Sequence, residues 1–284
     1  MDIIIKENYE EMSKYAAGII AAHMRKNPRL VLGLATGATP VGTYKELIRM
    51  HREEGLDFSQ VVTFNLDEYL GVGMDLGKPY HLDQSYARFM HEELFAHINI
   101  KPENIHIPDG LTLDPEEFCR WYEEAIKNAG GIDLQVLGIG RDGHWAFNEP
   151  GSSLASRTRV QALTKETLDD NYESFYRQAG IARKEMPHFA ITMGIGTILE
   201  ARNLLMLANG KKKAEVVAKA LEGPVTSQVT ASAIQLYSGQ ATVVLDREAA
   251  SELKNIEYYR HVEKLKAEMA AGRQKNPALA GVAD

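Results

Sequence analysis

Short apolar runs rich in β-branched residues alternate with longer segments of helical period along almost the whole chain. No other feature narrows the fold as much. Runs of this kind are buried on both sides when helices cross over a sheet, so the pattern predicts βαβ units around a mostly parallel sheet. Strands are expected at Ile3–Ile5 (on an edge), Arg29–Leu34, Val61–Leu66, Glu103–Pro108, Ile132–Ile139, Phe189–Met193, Leu204–Leu207 and Thr242–Leu245. Helices are expected over Tyr9–Met24, from Val41 onward, and over Tyr86–Ile98, Pro115–Ala129, Ile195–Ala201 and Lys212–Leu221. In the first, Met12, Tyr15, Ala16, Ile19, Ile20 and Met24 recur along one helical stripe. No internal repeat or low-complexity linker divides the chain, so residues 1–272 read as one α/β domain and 273–284 as a flexible tail. Two stretches look irregular. Residues 70–85, with three glycines and one proline, are long enough to wall a pocket, and residues 164–187 predict a mobile helical flap.

Composition removes several function classes. The 284 residues are 44% apolar and 25% charged, ordinary for a soluble globular protein. The longest apolar stretches fall far short of the ~20 residues that cross a bilayer, and Met1–Lys6 offers no basic region followed by an apolar signal segment. A cytoplasmic protein with no membrane partner is expected. Cys119 stands alone, which rules out an intramolecular disulfide and a cysteine-based zinc cage. The net charge of −7 disfavours nucleic acid as a ligand. A small ligand is expected instead.

In an open parallel sheet, ligands collect beyond the carboxyl ends of the strands, where strand order reverses. Three strand ends carry suitable residues. Thr36-Gly37-Ala38-Thr39-Pro40 joins a strand to a helix start, and its free N–H groups, hydroxyls and positive helix end suit a phosphate. No Gly-Lys-[Ser/Thr] follows, so it is not a Walker loop; the plain alternative is a turn with a capping threonine. Asn65-Leu66-Asp67-Glu68-Tyr69 ends a strand with two carboxylates pointing opposite ways, so at most one faces a pocket. A desolvated carboxylate there is a base for a carbon-bound proton; the alternative is a solvated acidic turn. The third end, Gly138 to Pro150, places Asp142, His144 and Glu149 on one glycine-flanked loop. His144 can accept and return a proton near neutrality, and a carboxylate on its second nitrogen would fix its tautomer. A divalent ion held by Asp142, His144 and Glu149 is the rival reading, and a merely structural histidine the third.

The three motifs, with Gly151-Ser152-Ser153-Leu154-Ala155-Ser156-Arg157-Thr158-Arg159, resemble glucosamine-6-phosphate deaminases over roughly Leu30 to Leu245. The resemblance implies a single doubly wound, Rossmann-like domain of the sugar-phosphate isomerase type. It implies conversion of glucosamine 6-phosphate to fructose 6-phosphate and ammonia, a hydrolase step in N-acetylglucosamine catabolism, without metal or organic cofactor. In it His144 opens the sugar ring, assisted by Asp142 and Glu149, and Asp67 moves a proton from C2 to C1. Thr36, Gly37, Ala38 and Thr39 would form the phosphate loop, and Lys213, in a lysine triplet, would pair with the phosphate. The partner is then a small amino-sugar phosphate; a homo-oligomer is compatible, since such proteins occur as monomers and as larger assemblies.

Three positions depart from that pattern. Glu173 stands where a flap arginine would grip phosphate, so either Arg177 or Arg183 substitutes or the ligand is held differently. Trp145 replaces a small aliphatic residue beside His144, either narrowing the pocket or packing into the core. Gln161 replaces a lysine that helps bind an effector, although Ser152 and Arg159 are retained. The competing readings are a 6-phosphogluconolactonase-type hydrolase, a sugar-phosphate isomerase that releases no ammonia, and a non-enzymatic sugar-phosphate sensor. A sensor of that kind usually carries a helix-turn-helix module, for which the N-terminal residues offer no pattern.

Overall fold

The computed structural model describes residues 1–73, 84–177 and 180–275. β1 (Asp2–Lys6) leads into α1 (Tyr9–Lys26), β2 (Val31–Leu34) into α2 (Ala38–Glu54), and β3 (Val62–Asn65) into the short β4 (Asp67–Tyr69). Next come α3 (Tyr86–Glu93), β5 (Ile105–His106), α4 (Pro115–Asn128) and β6 (Leu134–Leu137). They are followed by β7 (Arg159–Ala162), α5 (Lys165–Asn171), β8 (Phe189–Thr192) and α6 (Ile195–Ile198). β9 (Asn203–Ala208), α7 (Ala214–Glu222), β10 (Gln240–Asp246) and α8 (Ile256–Lys275) come last.

Among the described residues, seven strands form one parallel sheet in the order β1-β10-β9-β6-β2-β3-β5. The chain winds outward from β2 through β3 to β5. It then returns to β6 on the other side of β2 and continues through β9 to β10. This is the doubly wound arrangement, and its reversal lies between β2 and β6. Side chains alternate across the strands. Leu205, Leu207 and Val244 pack with α1 and α2 on one face; Leu204, Met206 and Val243 pack with α4 and α7 on the other.

Several elements differ from expectation. Phe189–Met193 does not extend the main sheet: β8 pairs antiparallel with β4 and β7 in a separate three-stranded sheet, which places both Asp67 and Arg159 opposite Thr192. An apolar run of four residues carries no mark of which sheet it will join. The run Glu103–Pro108 yields only two strand residues, and Ile132–Ile139 only four. α2 starts at Ala38 rather than Val41, which brings Thr39 into its first turn. The helix expected over Tyr86–Ile98 breaks at Leu94, and the lysine triplet forms a 3₁₀ turn before α7. The expected helix Ile195–Ala201 shortens to a single turn at α6.

The flap region folds as α5 followed by a π-helical turn, Tyr172–Tyr176. α8, which sequence reading did not anticipate, runs to Lys275, three residues into the expected tail. Residues 276–284, and residues 74–83 of the expected pocket wall, lie outside the described residues. No described helix is long and apolar enough to cross a membrane.

Candidate active site

A cavity of about 840 Å³ opens at the carboxyl edge of the sheet, over the reversal between β2 and β6. Most of the wall is made by the loops that follow strands, with Asp67 of β4 and Tyr86 of α3 added and α5 forming the outer side. Thr36, Gly37, Ala38 and Thr39 make the first wall. Gly37 sits at φ +95°, a conformation that strains any residue with a Cβ. No side-chain oxygen caps α2, so the first N–H groups of this long helix are available to an anion. The loop is braced from behind: Tyr44 donates to the Ala35 carbonyl at 2.5 Å, and Thr39 Oγ1 donates to Asn209 at 2.8 Å.

Asp67 enters from β4. It lines the cavity but is only 5% exposed. Burial pushes the pKa of its carboxyl up to about 7, against the opposing pull of His144, so near neutrality it can both take up and give back a proton. Its neighbour Glu68 points the other way, as strand alternation requires. There the carboxylate accepts from the N–H groups of Tyr69, Tyr86 and Ala87, anchoring the start of α3. The two adjacent acids therefore have separate structural places.

The loop after β6 carries His144, which also lines the cavity. Its Nδ1 lies 2.7 Å from Asp142 Oδ1 and 3.8 Å from Glu149 Oε2. The close contact is bent away from an ideal N–H···O line and is best described as a charge pair. Burial lowers the imidazole's proton affinity, but the carboxylates of Asp142 and Glu149 more than offset it, leaving it raised. Burial pushes Asp142 up, and the His144 contact reverses that, holding it below its usual range. Gly140 leaves room for the ring: a Cβ there would fall 2.4 Å from His144 Nε2. Asp142, His144 and Glu149 are close enough together to suggest cation ligands. Yet an ion held by both Asp142 and His144 needs its ligand atoms about 3 Å apart or more, and their 2.7 Å separation fits direct pairing better.

Glu149 stands beside His144, as expected of an assisting carboxylate, rather than in the cavity wall. It is 2% exposed. Its carboxylate accepts from Thr164 N, Thr164 Oγ1 and Thr167 Oγ1 at 3.0–3.3 Å. Lys213 lines the cavity as expected, and burial pushes its ammonium down to about 8. Neither Arg177 nor Arg183 lines it: Arg177 pairs with Glu173 at 2.7 Å, and Arg183 pairs with Asp169. Neither residue substitutes for a flap arginine, which leaves the other expectation, a ligand held differently. Trp145 is fully buried, with Nε1 directed at Met206 Sδ, so it packs into the core and leaves the pocket unaltered.

Sequence reasoning missed other parts of the wall. Arg141, Tyr86, Asp170, Asn209 and Gly210 all line the cavity. Gly210 N donates to both oxygens of Asp246 at the end of β10. Tyr86 gave no signal because it reads as an ordinary helix start. Asp246 could have been found by extending the strand-end search to the last strand. Gln161 completes a local network instead of reaching the cavity: Arg159 donates to Ser152, Gln161 and Asn148 at 2.8–2.9 Å.

A glycine-bearing loop at an uncapped helix start, a desolvated carboxylate and a carboxylate-flanked imidazole at the reversal of a doubly wound sheet define a Rossmann-like protein equipped for acid–base chemistry. The chain belongs to the family of glucosamine-6-phosphate isomerases and 6-phosphogluconolactonases, whose model matches residues 6–244. A glucosamine-6-phosphate deaminase from Thermoanaerobacter sp. (strain X514) is 48% identical over 262 residues, covering 90% of this chain and 99% of the relative. One from Cellvibrio japonicus is 47% identical, covering 93% and 96%. The solved structure of a monomeric glucosamine-6-phosphate deaminase superposes with a TM-score of 0.82 at 45% identity, covering 89% of this chain and all of the other. A 6-phosphogluconolactonase from Trypanosoma brucei shares the fold, with a TM-score of 0.66 at 20% identity over 89% of this chain and 98% of its own.

Proposed function

We propose that this protein converts glucosamine 6-phosphate to fructose 6-phosphate and ammonia. The observation that carries the reading is that Asp67 and His144 line the same cavity as the 36–39 anion loop. In this reading His144 takes the proton from the O1 hydroxyl and gives one to the ring oxygen, which opens the sugar. Asp142 and Glu149 favour the charged imidazole during that exchange. Asp67 then removes the C2 proton; the C2–H electrons form the C1=C2 bond of an enolamine while O1 takes up a proton. Asp67 returns its proton to C1, leaving a C2 imine. Water adds to the imine carbon and ammonia departs, so the overall change is a hydrolysis. Thr36 to Thr39 and Lys213 hold the phosphate away from the reacting carbons. No metal or organic cofactor enters these steps. The reaction belongs to amino-sugar breakdown in the cytoplasm, where the phosphate's charge retains its substrate.

Purified protein should release ammonia and fructose 6-phosphate in equimolar amounts, and a chelator should leave the rate unchanged. A loss of activity in chelator that zinc or manganese restores would overturn the metal-free route. The shared fold keeps lactone hydrolysis as the second reading. It needs a histidine base but no carboxylate directed at C2, so Asp67→Asn separates the two. The substitution abolishes deamination in the first and spares hydrolysis of 6-phosphogluconolactone in the second.

A further inference from the structure

Four cations line the cavity among the described residues, and they are not equivalent: Arg141, Lys211, Lys212 and Lys213. Lys211 is turned outward, donating to Ser251 at 2.9 Å and lying 3.6 Å from Glu252. Lys212 is exposed. Lys213 lines the cavity, and burial lowers its proton affinity. Arg141 is the one guanidinium among them, and it sits three residues before His144 on the loop after β6. Only this head group presents the planar fork that matches two phosphate oxygens at once.

Among the described residues, the flap side of the cavity sends no guanidinium toward it. Glu173 is tied up with Arg177, and Asp169 with Arg183. What the flap does contribute is a carboxylate: Asp170, on α5, pairs with Arg141 at 2.8 Å, and both line the cavity. Asp170 and, less strongly, Arg141 lie near enough to Lys213 to act on its charge, so the two cations and the carboxylate form one cluster on the cavity wall. The Arg141 and Asp170 side chains are 53% and 37% exposed. An ion pair this open to water is weak, so a doubly charged phosphate can displace the carboxylate.

We infer that Arg141 grips the substrate phosphate in this chain, and that Asp170 is a built-in counterion which the phosphate displaces on binding. This rests on the sugar-phosphate reaction proposed above. Asp170 thereby weakens phosphate affinity while joining α5 to the loop that bears His144.

The test is calorimetric titration of the intact protein with inorganic phosphate and with glucosamine 6-phosphate, alongside steady-state kinetics. Arg141→Met should weaken both ligands at least tenfold and raise KM much more than it lowers kcat, because a phosphate remote from C2 is held alike in ground and transition states. Arg141→Lys should recover part of the loss. Asp170→Asn should tighten phosphate severalfold. Binding by Arg141→Met within twofold of the parent would overturn the role of Arg141. Weaker phosphate binding by Asp170→Asn would overturn the competition. A parent protein that binds phosphate but releases no ammonia would sink the reaction and leave the phosphate grip standing. An active parent whose KM ignores Arg141→Met would do the reverse.

Discussion

Asp67 costs the fold something to keep. Its folded-state value of about 7 lies above its ordinary 3.8, so the unfolded chain ionises first as pH rises. The penalty therefore grows between pH 4 and 7 and levels off above, where it is of order 4 kcal/mol. Asp67→Asn should accordingly stabilise the protein, by more at pH 8 than at pH 5, while abolishing deamination. Urea unfolding at both pH values checks the sign, and a gain that shrinks at high pH would contradict it. The activity of the parent should rise through pH 7 as Asp67 ionises. For His144 the sign is opposite. Its raised affinity is stabilising at low pH and is lost as pH climbs through the folded value. Asp142→Asn removes the principal support for the charged ring, so the imidazole should titrate at lower pH by NMR, and kcat should fall roughly 10²–10⁴-fold. These residues were legible in sequence because each ends or follows an apolar strand. Arg141 was not, since nothing local tells an arginine at a cavity rim from one in solvent.

The elements around the site are joined by carboxylates used as backbone anchors. Glu149 binds the threonine that caps α5, so the start of the flap is attached to the same group that flanks His144. Thr164→Ala should cost about 1 kcal/mol through the lost cap, measured by denaturant titration, without moving the His144 titration. Glu149→Gln should shift that titration to lower pH because it removes charge; an unmoved imidazole would show that Glu149 is only structural. Glu68 performs the parallel task for α3. Motif reasoning captured the strand ends well and failed on the short antiparallel sheet. Three- and four-residue strands such as β4 and β7 have too few alternations to register, and they form only because β8 lies between them.

At the scale of the molecule, the parallel sheet was readable because burial on both faces makes its strands continuously apolar. α8 was not, because charged residues interleave with its apolar ones along the whole helix. It lies beyond the residues matched by the family model and packs on the β1 side, where Glu263 pairs with Lys6 at 3.0 Å and Lys266 pairs with Asp2. Ile256 and Tyr259 pack against the core. Removing residues 256–284 should lower stability by roughly 2–4 kcal/mol yet leave kcat/KM intact, because α8 contributes nothing to the cavity wall among the described residues. A melting curve with a parallel assay checks both halves.

The partnership of β1 with β10 also bears on biosynthesis. Ile4 sits beside Val244 in the finished sheet, so the leading strand leaves the ribosome long before its neighbour exists. At ~5–20 residues per second that wait is on the order of 10–50 s. Throughout that wait the apolar leading strand lacks the neighbour that covers its edge in the folded sheet.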